Sequence, residues 1–302
     1  MSKRTDKIHH LLDSGPESLV GRATDDRLSA IINEGMHGIA FSAYQEGQKP
    51  GDQLSEAQIE QRMAILAPYF GWIRSFSTTE GNEWIPKVAK QHQLNTLVGA
   101  WLGDDVEKNR VEVEALISLA EQGLVDVAAV GNEVLYREEM SEEALLSVMA
   151  EVRARLPAEI PMGYVDAYYE FENRPAVTAA CDVLLTNCYP YWEGCALPYA
   201  TLYMQDMFRR VQRVANGKRV IITETGWPSA GGVFYGAEAS AQGALTYFLK
   251  AQEWALAEDI EIFYFSSFDE AWKAAGDTSE GDVGAYWGLW DKHGTFKYLP
   301  SP

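Results

Sequence analysis

The chain has few cysteines, few basic residues and no long hydrophobic run. Its 302 residues include only three cysteines, Cys181, Cys188 and Cys195. Three cysteines cannot all pair with one another, and their spacing is not that of a metal site. We therefore expect free thiols, mostly buried, and no disulfide framework.

Basic residues are outnumbered by acidic ones. There are 25 Lys and Arg against 44 Asp and Glu, which gives a formal net charge of −19. This balance argues against nucleic acid or an anionic membrane as a partner, because binding phosphate needs clustered positive charge. It suits a neutral ligand such as an uncharged polysaccharide, although an acidic surface that serves only solubility would look the same.

The sequence also lacks targeting and membrane signals. No run of about 18 apolar residues occurs, and the opening residues Met1–Lys7 have no apolar h-region. With three free thiols, this predicts a cytoplasmic protein as the sequence stands, or a secreted one if a leader has been lost. Because the five histidines have no metal-ligand spacing, we expect neither a metal nor a cofactor; they are His9, His10, His37, His92 and His293.

The remaining pattern is that of one α/β domain. Residues 1–35 are polar and predict an N-terminal extension, and no linker divides residues 36–302. Within that range short apolar runs alternate with amphipathic helices, which predicts a (β/α)8 TIM barrel. Ser55 with Gln58 predicts a capping box, Ser141 an N-cap and Gly123 a helix end. The predicted strands are Gly38–Ser42, Trp72–Phe76, Asn95–Trp101, Val125–Gly131, Pro161–Val165, Asp182–Thr186, Arg219–Thr223 and Ile260–Phe265.

Two of these strands are followed by a glutamate. Glu133 lies at the tip of the fourth strand and Glu224 at the tip of the seventh. Strand tips face one another across a barrel mouth, so the two carboxyl groups can lie about 5 Å apart, the spacing of a retaining glycosidase pair. Asn132, directly before Glu133, is suited to a hydrogen bond with a sugar hydroxyl. A single such glutamate would more often cap a helix or pair with arginine, but two of them favour catalysis.

The segments around both glutamates resemble a known family. Gly131-Asn132-Glu133-Val134 and Thr223-Glu224-Thr225-Gly226-Trp227-Pro228-Ser229 are similar to the acid/base and nucleophile signatures of glycoside hydrolase family 17, a clan A family of retaining, β-1,3-glucan-active (β/α)8 barrels. The first strand lacks the Tyr-Gly step of plant members, which resembles a bacterial branch. The similarity covers about residues 36–299 and includes Asn187–Tyr191, Phe268–Lys273 and Trp287–Trp290.

The resemblance implies roles for individual residues. Glu133 would be the acid/base, Glu224 the nucleophile, and Glu270 with Lys273 an acidic and basic pair beside the nucleophile. Lys273 would then favour the charged carboxylate of Glu224; the alternative is a solvated ion pair of little consequence. Glu280 matches a further acidic position. Five aromatic residues would provide platforms for sugar rings or simply pack at the rim: Tyr136, Tyr189, Trp192, Trp227 and Trp272.

Three functions compete at this point. The leading one is a retaining hydrolase that cleaves β-1,3-glucosidic bonds in laminarin-type β-glucans or their oligosaccharides by double displacement. The second is a β-1,3-glucanosyltransferase, which passes the glycosyl group to another glucan instead of water. The third is an inactive barrel that only binds glucan. Chain-length preference, endo or exo action and oligomeric state are left open.

Overall fold

The strands close into a parallel barrel, as the sequence predicts. The computed structural model describes residues 24–274 and 281–298. Eight strands follow one another around the barrel in the order β1-β2-β3-β4-β5-β6-β7-β10, and β10 pairs with β1, while β8 and β9 form a separate antiparallel hairpin. The strands are β1 (Met36–Ala40), β2 (Phe70–Ser75), β3 (Asn95–Ala100), β4 (Val127–Asn132), β5 (Met162–Ala167), β6 (Val183–Asn187), β7 (Arg219–Thr225), β8 (Val233–Phe234), β9 (Ala237–Glu238) and β10 (Ile262–Tyr264).

Helices lie between the strands and cover the outside of the barrel. They are α1 (Thr24–Glu34), α2 (Glu56–Leu66), α3 (Trp84–Gln91), α4 (Val106–Glu121), α5 (Glu142–Arg155), α6 (Tyr168–Asn173), α7 (Pro175–Ala180), α8 (Leu197–Val214) and α9 (Ala241–Glu258). Two 3-10 turns, Ala271–Ala274 and Gly281–Tyr286, follow β10. Among the described residues, no helix has the length and apolar character needed to cross a bilayer.

The predicted extension includes a helix that packs on the barrel. In α1, Leu28 and Ile31 are buried, and Arg27 forms a bidentate ion pair with Glu253 of α9 at 2.6 Å. The domain boundary at residue 35 stays a prediction. Residues 1–23, with His9 and His10, and Glu280 lie outside the described part of the chain.

The helix ends follow their sequence signals with one difference. Ser141 accepts a hydrogen bond from the Ala144 amide at 3.2 Å, and Gly123 adopts φ +72° just beyond α4, as predicted. Ser55 likewise accepts from the Gln58 amide at 3.3 Å. The capping box is only half formed, because the Gln58 side chain donates to the Ala43 carbonyl oxygen at 2.6 Å instead of turning back to Ser55.

The barrel interior is a packed apolar core, as expected of this fold. Gly38 on β1 leaves room for the Phe263 ring, because a Cβ atom there would lie 2.6 Å from it. All three cysteines are buried free thiols, as predicted. The inner cluster consists of Leu97, Val127, Ala129, Val165, Val183, Leu185, Ile221 and Phe263.

Candidate active site

Glu133 stands at the carboxyl end of β4, where the backbone turns sharply. Gly131 has φ +84° and Glu133 itself has φ +54°, a left-handed conformation that is uncommon outside glycine. The Glu133 amide is held by the Val165 carbonyl oxygen on neighbouring β5 at 2.8 Å. This turn directs the half-buried Glu133 side chain toward Asn187 on β6.

Glu224 lies near the end of β7 and is surrounded by hydrogen-bond donors. The residue is 6% exposed. Arg74 Nη1 donates to Oε1 at 2.7 Å, Asn187 Nδ2 donates to the same oxygen at 3.2 Å, and the Tyr189 hydroxyl donates to Oε2 at 2.6 Å. Each donor interacts more strongly with a charged carboxylate than with a neutral carboxyl group.

Asn187 brings the two glutamates together. Its Nδ2 atom also donates to Glu133 Oε1 at 2.8 Å. Because both bonds share one nitrogen, the two Oε1 atoms lie no more than about 6 Å apart. This limit fits the separation of about 5 to 5.5 Å in retaining glycosidases better than the about 6.5 to 9.5 Å of inverting ones.

The two carboxyl groups differ in environment. Burial and, after it, the nearby negative charge of Glu224 together raise the pKa of Glu133 to about 8, against the hydrogen bond from Asn187, which lowers it. At neutral pH the Glu133 carboxyl therefore carries a proton that it can give away. The donors around Glu224 suit a negatively charged oxygen, so the pair combines an acid with a nucleophile.

Arg74 on β2 is a site residue that the sequence analysis missed. It is 1% exposed, and its guanidinium lies 4.2 Å from the Phe76 ring centroid. Its Nη2 atom donates to Asn132 Oδ1 at 2.7 Å, which leaves the Asn132 Nδ2 group as a donor for a ligand. An arginine inside an apolar strand was the available signal, since a buried charge needs an opposite charge.

The position of Lys273 beside Glu224 stays a prediction, but the structure places another cation directly on Glu224. The cation that is hydrogen-bonded to Glu224 is Arg74, whereas Lys273 forms an ion pair with Glu270 at 3.3 Å. That pair is not solvated either, because both residues are 7% exposed. Lys273 Nζ lies 4.7 Å from the Phe265 ring centroid, and Phe265 contacts Tyr189, so the pair adjoins the site through this ring.

Glu270 is also held by neutral donors that the sequence did not indicate. Ser42, just after β1, donates its hydroxyl to Glu270 Oε1 at 2.6 Å, and Trp272 Nε1 donates to the same oxygen at 3.1 Å. The half-buried Trp272 ring lies edge-on to Tyr44 at 6.5 Å. Glu270 thus joins the start of the barrel to the segment after β10.

A second buried carboxyl group, Asp166 on β5, influences the pKa of Glu133. Asp166 is fully buried and accepts hydrogen bonds from the Tyr164 hydroxyl and from the Tyr136 amide, the latter at 3.4 Å. The same Tyr164 hydroxyl accepts the Leu135 amide at 3.0 Å. Burial raises the pKa of Asp166 to about 7, and its charge in turn raises the pKa of Glu133.

Trp227 cannot serve as a sugar platform. Only 1% of it is exposed, its ring packs against Tyr191 and Tyr247, and its Nε1 atom donates to the Glu238 carbonyl oxygen at 2.9 Å. Both faces are therefore in the protein core. Of the two alternatives for this residue, burial supports packing rather than stacking, a distinction that the sequence does not make.

The other predicted platforms lie near the mouth with different contacts. Tyr189 uses its hydroxyl on Glu224, and its ring lies edge-on to Phe265 and Trp287. Trp192 is half-buried against Trp287, with centroids 5.5 Å apart. Tyr136 is 55% exposed in the loop after β4. Sugar contact by these rings stays a prediction.

With this geometry the chain can be compared with known proteins. Residues 38–288 match the BtgE/BtgC glycoside hydrolase domain, and the chain belongs to this family. A glucan 1,3-beta-glucosidase of Schizosaccharomyces pombe is 30% identical over 253 residues, which cover 78% of this chain and 77% of the relative. A glucan 1,3-beta-glucosidase of Arthroderma benhamiae is 29% identical over 260 residues, covering 80% and 83%.

A solved structure is similar along most of the chain. The glycoside hydrolase family 17 beta-1,3-glucanosyltransferase of Rhizomucor miehei superposes with a TM-score of 0.77 at 26% identity, covering 87% of this chain and 96% of that one. An active-site mutant of a Rhizomucor miehei beta-1,3-glucanosyltransferase in complex with laminaritriose matches equally well. These relatives are fungal, so they do not support placing the chain in a bacterial branch.

Proposed function

We propose that this protein is a retaining glycoside hydrolase that cleaves β-1,3-glucosidic bonds of laminarin-type glucans or their oligosaccharides. The observation that carries the proposal is the junction at Asn187, which joins two carboxyl groups of unlike environment within one hydrogen-bond network. The names of the relatives supply the linkage, since the geometry alone defines only the reaction type.

In the first step Glu224 attacks the anomeric carbon. The bond from that carbon to the glycosidic oxygen breaks, and Glu133 transfers its proton to the departing oxygen. A covalent glycosyl ester on Glu224 results. Arg74, Asn187 and Tyr189 hold the nucleophile in position, and Asn132 Nδ2 is available to a sugar hydroxyl.

In the second step Glu133 acts as a base. Because the ester has removed the negative charge of Glu224, one of the causes that raise the pKa of Glu133 is gone. Glu133 then takes a proton from water, whose oxygen attacks the anomeric carbon and releases Glu224. Two inversions at one carbon retain the β configuration.

Glucanosyl transfer is the second candidate, and the similarity to the Rhizomucor miehei transferase favours it. The first step is identical, and a hydroxyl of another glucan replaces water in the second. An inactive glucan-binding barrel fits less well, because both carboxyl groups stand in the arrangement that catalysis needs.

A time course with laminarihexaose tests the proposal. We expect shorter products that carry the β configuration when first released. Mass spectrometry measures their length and anomeric NMR their configuration. Products longer than the hexaose would identify a transferase. Glu224→Gln should lower the rate by several orders of magnitude, with Glu172→Gln, a half-buried glutamate paired with Arg210, as a matched control. An unchanged hexaose, or a normal rate in Glu224→Gln, would overturn the assignment.

A further inference from the structure

A short hairpin follows the nucleophile strand and carries exposed apolar side chains. Its first strand, β8, begins 8 residues after the last residue of β7, and Tyr235 and Gly236 join β8 to β9. Tyr235 is 68% exposed and Val233 is 66% exposed. Large exposed apolar side chains that lie close together can mark a binding site, whereas isolated ones are common on protein surfaces.

The conformation of Tyr235 is unusual for its residue type. It has φ +53°, in a two-residue hairpin turn where Asn or Gly is strongly preferred. A bulky residue in this region is a backbone outlier, and such outliers concentrate at ligand-binding sites. The turn is also fixed in place, because the Gly236 amide donates to the Gly194 carbonyl oxygen at 3.1 Å.

Aromatic rings connect this turn to the nucleophile. Tyr189, whose hydroxyl donates to Glu224, lies 5.5 Å from Trp287, and Trp287 lies 5.5 Å from Trp192. Phe234 is next, 5.6 Å from Trp192 and 5.0 Å from Tyr235. The row runs from the half-buried Tyr189 through the buried Trp287 and the half-buried Trp192 and Phe234 to Tyr235, which is open to solvent.

We propose that the hairpin tip at Tyr235, which Phe234 connects to Trp192, binds a glucosyl residue of the glucan chain remote from the bond that reacts. The inference rests on the proposed function and extends that site outward. We identify the ligand as part of the glucan chain because the row of aromatic rings begins at the reacting centre and because such rings suit a sugar. The C–H face of a neutral sugar packs on an aromatic ring.

The charges near the tip also favour a neutral, hydroxyl-rich chain. Glu238 is exposed and pairs in register with Val233, and a Cβ atom on Gly232 would lie 3.4 Å from the Asp282 carboxylate. Carboxylates accept hydrogen bonds from sugar hydroxyls but repel an anionic polymer. Because the tip lies away from the reacting centre, long oligosaccharides should gain affinity from it, and short ones should not reach it.

Binding measured on the Glu224→Gln background separates this effect from turnover. Adding Tyr235→Ala should weaken the binding of laminarihexaose about 10-fold in isothermal titration calorimetry and change that of laminaritriose less than about 2-fold. Tyr235→Phe keeps the ring and should restore hexaose affinity. Leu256→Ala, an exposed apolar side chain near the end of α9, is the matched control and should change neither constant.

A glycine variant separates binding from folding. Glycine adopts positive φ without strain, so Tyr235→Gly should leave the melting temperature unchanged or raise it while still weakening hexaose binding. Equal hexaose affinity in Tyr235→Ala and its parent, or an equal loss for both oligosaccharides, would overturn the inference. If the wild-type protein acts on no β-1,3-glucan, the proposed function itself has failed, which is a distinct outcome.

Discussion

The raised pKa of Glu133 should depend on the charge of Glu224, and the size of the effect can be estimated. Two unit charges about 6 Å apart interact by about 3 kcal/mol at an effective dielectric constant of about 20. This energy corresponds to about 2 pH units. In Glu224→Gln the negative charge is removed while the side chain keeps its size, so the pKa of Glu133 should fall from about 8 to roughly 6.

Carbon-13 NMR of protein labelled at the glutamate carboxyl carbon measures this directly. The Glu133 resonance is assigned by its loss in Glu133→Gln and followed between pH 4 and 10. Glu270→Gln is the control and should leave the pKa of Glu133 unchanged, because the hydrogen bonds of this buried carboxylate go to Ser42 and Trp272 rather than to Glu133 or Glu224. A pKa of Glu133 that stays near 8 in Glu224→Gln would refute the electrostatic reasoning and leave burial and the charge of Asp166 as the causes.

Three further variants test other parts of the site. Arg74→Met should lower kcat/KM at least about 100-fold, because Glu224 and Asn132 lose their shared donor; a circular dichroism melt checks folding. Glu133→Gln should have a larger free energy of unfolding in urea than wild type at pH 9, and the difference should be smaller at pH 5. The folded pKa of Glu133, about 8, exceeds the unfolded value, so the stability contributed by the protonated carboxyl is lost as pH rises through 8. Asp166→Asn should move the alkaline limb of the kcat/KM profile to lower pH, because a charge that raises the pKa of Glu133 is gone, and an unmoved limb would contradict this.

The fold could be predicted because a parallel barrel repeats one pattern eight times. Buried strands appear as short apolar runs, and the starts of helices are marked by N-cap residues such as Ser55 and Ser141. The ends of strands were harder. β4, β5 and β6 each run one or two residues beyond the predicted ends, to Asn132, Ala167 and Asn187. Polar residues there remain in the sheet because they are hydrogen-bonded across the mouth.

The two glutamates could be predicted, but not their surroundings. Glu133 and Glu224 each follow an apolar strand within a distinctive motif. Arg74, Asn187 and Asp166 lie on three other strands, and no local pattern says that closure of the barrel brings them to the same point. A contact between residues far apart in the chain depends on register, which the sequence of one strand does not contain.

The donors around Glu224 would remain if its side chain were removed. In a Glu224→Ala protein, the cation of Arg74, the Asn187 amide and the Tyr189 hydroxyl would face an empty space of carboxylate size. Such a space can hold a small anion, and an azide or formate ion there would stand where the nucleophile stood. The network that orients the glutamate would thus bind an external nucleophile in the Glu224→Ala variant. Attack of this anion on the anomeric carbon would yield a glycosyl azide or formate of α configuration.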